Sequence, residues 1–307
     1  MLIVLKNGPL RRHYGMLKRF SQLRLHTKMS VSFSLLLIVI IVISGWFYYE
    51  QNVKQLKKQT LTLMNANVSQ MSRTVNLYIE ELERYSISIF TDPVVQSVLR
   101  MDPDESDPLA QNRIRSQLLN LSIAWSVVRG IYIYSLDGKV YDIARASSGF
   151  ELSLEDEPWY EHINSFTNRG FILWPTADEP SLTSNKEKVF DLVRPIYDIP
   201  TSKQLGYLKM SIDIDVMKKL LVFEKIKLLD SRINPHFYIV DDDKNIIYDS
   251  RELETGEKIT DLPQAILDQD EASGEWAKPD SMYLFASQKS SETGWTTIVM
   301  IPSDSIE

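Results

Sequence analysis

The sequence predicts an α+β protein: an N-terminal membrane-crossing helix that continues as a long spine, followed by two tandem antiparallel-sheet modules. Three observations predict it. Residues 29–49 carry no charge, and at ~1.5 Å per residue they match the ~30 Å hydrocarbon core of a bilayer. From residue 50 to 90 no Pro or Gly interrupts the chain, and apolar residues recur at Val68, Met71, Val75, Tyr78, Leu82, Tyr85 and Ile89. Steps of three and four make a helical stripe that faces something. Beyond the spine, one order of β-favouring runs and turns occurs twice.

Charge orients the anchor. The net charge is −7, but Lys6, Arg11, Arg12, Lys18, Arg19, Arg24 and Lys28 fall in a stretch with no acid, so all 41 acidic residues lie after residue 28. Short basic flanks stay cytoplasmic. Residues 1–28 are therefore expected to form a cytoplasmic tail, 29–49 the anchor, and everything from 50 onward the extracytoplasmic part. The apolar run is longer than the ~7–15 residues of a signal peptide. It ends in Trp46, Phe47, Tyr48 and Tyr49, aromatics suited to a membrane interface rather than to a cleavage site. An acidic exterior argues against nucleic acid as a partner, and the basic tail fits topology and anionic lipid. With no cysteine, disulfides, thiolate metal sites and cysteine nucleophiles are excluded.

The elements follow in order. Asp92-Pro93 breaks the spine, Asp92 serving as N-cap of a short helix through Val94, Val95, Val98 and Leu99. A loop at 102–108 precedes a helix from about Leu109 to Ala124. Residues 131–134 and 140–141 flank Asp137-Gly138, a strong hairpin signature. Pro158 opens a helix, 189–197 is a strand, 205–212 a second strand, and a helix with Val216, Leu220, Leu221 and Phe223 closes the unit. The pattern then repeats as a hairpin at 237–248, a short helix at 262–267, and strands at 282–285 and 294–301. The first copy is the longer, and its surplus falls around Trp159, Tyr160 and Trp174. Two sheet modules follow from this repeat, over residues 92–223 and 224–303, with the spine at 50–91 and a junction at 304–307.

Few residues carry chemistry. Asp241, Asp243, Asn245, Asp249 and Glu252 have EF-hand spacing, but Ile246 stands where the loop needs Gly, so a hairpin turn is the better reading and no metal is expected. Trp159, Tyr160, Phe171 and Trp174 either line a small-molecule pocket or pack a helix on a sheet. Arg194, inside an apolar strand, either clamps a ligand anion or pairs with a structural acid such as Asp191 or Asp213. No G-x-S-x-G, S-x-x-K or glycine-rich phosphate loop is present, and the histidines lack metal-ligand spacing. No catalytic residue and no cofactor are expected.

The ordered series of anchor, Phe90-Thr91-Asp92-Pro93, the 131–141 hairpin, Pro158-Trp159-Tyr160, Arg194-Pro195-Ile196 and Leu205-Gly206-Tyr207-Leu208 resembles a double Cache (dCache) sensor domain. It is most similar to the sensor half of YesM-type histidine kinases of Gram-positive bacteria. The resemblance implies PAS-like modules, of which the membrane-distal one binds ligand. The membrane-proximal one passes the change to a second transmembrane helix, a HAMP segment and kinase domains. Trp159 and Tyr160 match pocket positions of the family, and Trp174, Arg194 and Ser211 complete the expected ligand-binding set. Amino-acid-binding members carry Arg two residues before Trp-Tyr and Asp five residues after the strand glycine; here Glu157 and Ser211 stand in those places. That disfavours an α-amino acid, while YesM-type relatives imply a carbohydrate-related ligand. Family members dimerise along the spine, so a homodimer is expected. The sequence stops where a second membrane helix is expected, as a fragment or a natural truncation. The expected function is membrane-anchored sensing of a small molecule, as the sensor part of a two-component histidine kinase. The alternative is an anchored interaction protein that contacts a partner protein or the cell wall without a pocket.

Overall fold

A computed structural model of the chain describes residues 24–101, 108–125, 127–144, 153–163, 170–176, 188–223, 235–251, 256–260, 262, 264–278 and 281–305. The basic tail up to residue 23, the loop at 102–107, the connection at 224–234, Glu252 and the last two residues lie outside this set. The chain divides into two units, one ending at Lys58 and one beginning at Gln59.

Helix α1 spans Leu25–Phe90. In the first unit its apolar stretch is long and apolar enough to cross a membrane, with none of it buried in protein. In the second unit one face is buried, at Met64, Val68, Met71, Val75, Ile79, Leu82, Tyr85 and Ile89. The stripe departs from the sequence reading at one step. Ile79 takes the interior place and Tyr78 is half-buried beside it, because a straight 3.6-residue helix drifts against an alternating three-four count.

The helix ends where Asp92 caps its successor. The Asp92 Oδ1 accepts from the backbone N–H of Val94 at 2.8 Å and of Val95 at 3.3 Å, with Pro93 opening α2 (Pro93–Leu99). Helix α3 (Pro108–Ala124) buries Ile114 and Leu118, and Trp125 after it stacks on Tyr85 with ring centroids 4.8 Å apart.

Two five-stranded antiparallel sheets follow. The first holds β1 (Val128–Ser135), β2 (Val140–Ala144), β3 (Ile172–Thr176), β4 (Val189–Tyr197) and β5 (Gln204–Asp213), with the short α4 (Tyr160–Ile163) before β3 and α5 (Asp215–Phe223) after β5. The second holds β6 (His236–Val240), β7 (Ile246–Asp249), β8 (Glu271–Lys278), β9 (Ser281–Lys289) and β10 (Thr296–Pro302), with α6 (Gln264–Leu267) before β8. The orders β2-β1-β5-β4-β3 and β7-β6-β10-β9-β8 are the same topology twice. Strands β3 and β8 are additions to the sequence reading, and both are edge strands. The EF-hand-like run is a hairpin turn: Asp241 accepts from the backbone N–H and the side-chain amide of Asn245, each at 2.7 Å, and Ile246 enters β7.

One hydrophobic cluster joins the spine stripe to a single face of each sheet. It takes Ile131, Ile133, Leu192, Ile196, Leu208 and Met210 from the first and Phe237, Ile239, Leu284, Val299 and Ile301 from the second. Phe190 of β4 meets Trp295, which precedes β10, edge to face at 5.6 Å, so the modules also touch directly. Gly206 shows how closely the strands are set. A Cβ there would lie 2.1 Å from the Tyr134 carbonyl oxygen. Gly206→Ala is expected to destabilise the fold by about 3 kcal/mol, measured by urea unfolding of the full chain.

Candidate functional site

The opposite face of the first sheet is built by strand alternation. It presents Tyr132 and Tyr134 from β1, Ile172 and Trp174 from β3, Asp191 and Val193 from β4, and Tyr207, Lys209 and Ser211 from β5. The registers Tyr132↔Lys209, Tyr134↔Tyr207, Asp191↔Ser211 and Trp174↔Asp191 set these side chains next to one another. The segment 153–163 covers them. Trp159, just before α4, is fully buried, its ring 5.7 Å from Tyr134, 6.0 Å from Tyr207 and 6.4 Å from Tyr160. His162 lies 4.8 Å from the Trp174 ring.

Inside this aromatic shell sits a polar network. Lys209 Nζ donates to both carboxylate oxygens of Glu157, at 2.8 and 3.0 Å, and the Tyr134 hydroxyl donates to the same carboxylate. The ammonium also stands 4.7 Å over the Tyr132 ring. Ser211 Oγ donates to Asp191 Oδ1 at 2.6 Å, both residues being buried. Burial, then the charge and hydrogen bond of Glu157 and the charge of Asp191, push the Tyr134 phenol far above the ordinary tyrosine range. It therefore stays protonated and donating. Among the described residues the buried Trp159 indole N–H has no acceptor, an uncommon state for a buried donor.

Of the five residues expected from sequence, Trp159, Tyr160, Trp174 and Ser211 share this face. Arg194 does not. It alternates to the spine face of β4, where Nη1 donates to Ser86 Oγ of α1 at 2.8 Å and the guanidinium lies 4.8 Å over the Phe90 ring. Neither a clamp at the aromatic face nor an ion pair with Asp191 or Asp213 describes it. Burial lowers its pKa, opposed by the nearby charge of Glu83, and Nε has no partner among the described residues. Asp213 pairs instead with Arg129. Sequence reading missed Lys209, Tyr134 and Tyr207 as members of the site. The period-two spacing of Tyr207, Lys209 and Ser211 along β5 was the available signal, and a lysine inside an apolar strand marked it.

Two stacked PAS-like modules on one helix, the first with a buried polar and aromatic face, define a ligand-sensing domain. A Cache domain model matches residues 52–307, and the chain belongs to that family, in its double Cache form. No curated protein matches the chain. Among solved structures, it is similar to the ligand-binding domain of the Campylobacter jejuni chemoreceptor Tlp3 in complex with L-valine. The identity there is 15% and the TM-score 0.57, covering 83% of this chain and 97% of that one. It is also similar to the ligand-binding domain of the Pseudomonas aeruginosa amino acid chemoreceptor PctB in complex with L-Arg, at 12% identity and TM-score 0.60, covering 80% and 97%. The extracellular domain assigned to a histidine kinase matches at 14% identity and TM-score 0.57, covering 84% and 95%. At these identities the likeness is one of fold.

The Glu157–Lys209 pair is almost wholly enclosed, with 10% and 7% of the side chains exposed. Lys209→Met, which leaves the carboxylate alone, is expected to cost about 3–5 kcal/mol in urea unfolding. The double variant Glu157→Gln/Lys209→Met is expected to recover most of that loss.

Proposed function

We propose that the chain senses an uncharged, hydroxyl-rich small molecule, carbohydrate-related, against Trp159, Tyr160 and Trp174 of the first module. The carrying observation is the buried Trp159 N–H, without an acceptor among the described residues, set beside the Glu157–Lys209 and Asp191–Ser211 pairs. A sheet face needs none of these polar groups for packing, and burying them is costly unless they have partners. Hydroxyl groups both donate and accept, so a polyol can satisfy the indole N–H and share the carboxylates without breaking the Glu157–Lys209 ion pair. An α-amino acid fits less well. Its carboxylate would meet Glu157 where amino-acid-binding members place Arg.

Arg194 serves transmission in this reading. Strand β4 carries Asp191 and Val193 on the ligand face and Arg194 on the spine face, so a shift of the strand acts on Ser86 of α1. A ligand that binds two strand positions unequally biases the spine between two states. The basic flank supports an orientation with residues 1–28 inside and both modules outside, the first distal and the second proximal to the membrane. The output would be a YesM-type histidine kinase, with a homodimer along the spine, where Leu77 and Ile87 are exposed.

Calorimetry of the full chain in nanodiscs, against neutral mono- and oligosaccharides and the free amino acids, tests the ligand. A saccharide is expected to bind, with Trp159→Phe weakening it about tenfold. Tight binding of an α-amino acid, or a Trp159→Phe variant of unchanged saccharide affinity, contradicts the reading. Transmission has its own test. The chain has no cysteine, so spin labels at Glu81→Cys and Leu136→Cys report one distance. Ligand is expected to shift that distance in the parent chain and leave it unchanged in the Arg194→Met background.

A further inference from the structure

The outer faces of the two sheets lie under different kinds of cover. Over the second sheet, Ile259, Leu262 and Leu267 pack on Tyr238, Val240, Ile298 and Met300. That cover is also stitched to the β6–β7 hairpin through the backbone. The Ile246 N–H donates to the Glu257 carbonyl at 2.7 Å and the Gly256 N–H to the Ile246 carbonyl at 2.8 Å. The Ile259 N–H donates to the Lys244 carbonyl at 2.9 Å.

Over the first sheet, segment 153–163 satisfies its backbone internally. The Glu157 N–H donates to the Leu154 carbonyl at 3.3 Å, the Tyr160 N–H to Glu157 at 3.0 Å and the Ile163 N–H to Trp159 at 3.1 Å. Among the described residues, no backbone hydrogen bond joins this segment to a strand. It can therefore leave the sheet as a unit without stranding a peptide group. Side chains fasten it instead. Trp159 and Tyr160 pack on Tyr207, with rings 6.0 and 5.9 Å away, and Glu157 reaches Lys209 and Tyr134.

The same segment shuts the site. Tyr132, Tyr134, Trp159, Asp191 and Ser211 are each at most 1% exposed, so a solute cannot reach them while the segment lies on the sheet. The Glu157–Lys209 pair suits a fastening that must release. Opening returns both charges to water, and their hydration offsets the lost attraction. Closing with one partner missing would bury a lone charge, which is costly.

We propose that residues 153–163 form a lid over the outer face of the first sheet, latched by Glu157 against Lys209 and Tyr134, and that it swings away to admit ligand. This role rests on that face being the ligand site. Only the open fraction admits ligand, so the latch lowers the apparent affinity by that fraction. The second module, with its cover stitched down, has no such gate.

The chain has no cysteine, so a single introduced thiol reports when the lid opens. Val193→Cys lies on the outer face beneath Trp159, and Val128→Cys lies in the spine cluster of the same sheet, both buried. Each is treated with a small anionic thiosulfonate in the full chain in nanodiscs, without ligand. Local opening precedes unfolding, so Val193→Cys is expected to react at least about 100-fold faster than Val128→Cys. Adding Glu157→Gln, which removes the carboxylate from the enclosed ammonium, is expected to speed Val193→Cys about tenfold further. The Val128→Cys rate is expected to stay within about twofold in that background. Equal rates for the two thiols overturn the lid. A Val193→Cys rate unmoved by Glu157→Gln, or both thiols speeded alike, overturns the latch. No ligand is used, so a failed saccharide titration and a failed lid are separate outcomes.

Discussion

The structure depends on burying one face of one helix against two sheets at once. With no disulfide to brace it, the second unit is held by the stripe from Met64 to Ile89 and the sheet residues it meets. Each fully buried aliphatic contributes about 1.5–3 kcal/mol relative to exposure, so the shared cluster outweighs any single polar contact. Each sheet is thereby committed on one face and left with its other face for chemistry.

Those two outer faces have diverged on one topology. The first is closed over by segment 153–163, where Glu157 is ion-paired with Lys209 and Asp191 accepts a hydrogen bond from Ser211. Such a face suits a ligand that brings hydrogen bonds and no net charge. The second is apolar at its centre, and at one end Arg251 and Lys278 stand over aromatic rings. Arg194 belongs to neither. It ties the strand under the first face to the spine through Ser86, and its Nε, buried without a partner among the described residues, makes it a contact that small strand shifts can change.

Much of this was legible in the sequence, for physical reasons. The spine has a 3.6-residue period and no breaker, and both hairpins have turn residues between β-favouring runs, so periodicity alone locates them. Strands β3 and β8 escaped because they are edges. β3 has five residues with Pro175 inside it, and β8 alternates half-buried and exposed positions with Glu, Ser and Lys among them. Register was the harder quantity. Strand β4 is buried on both faces, so alternation of apolar and polar residues could not tell which way Arg194 points. Trp159 and Tyr160 stood out as aromatics in the surplus of the first copy, and the resemblance chose the pocket reading over packing. Lys209 was visible only as an odd residue in an apolar strand, and the orphaned Trp159 N–H is a product of tertiary packing that no local pattern encodes.

The most direct test of the central claim reads the six tryptophan indoles of the full chain by proton–nitrogen NMR while a neutral saccharide mixture is added. The expected result is a downfield shift of the Trp159 N–H as it gains an acceptor, with Trp276 and Trp295 of the second module unmoved. Saccharide binding with an unshifted Trp159 signal, or a response confined to the second module, would contradict a ligand site on the first sheet.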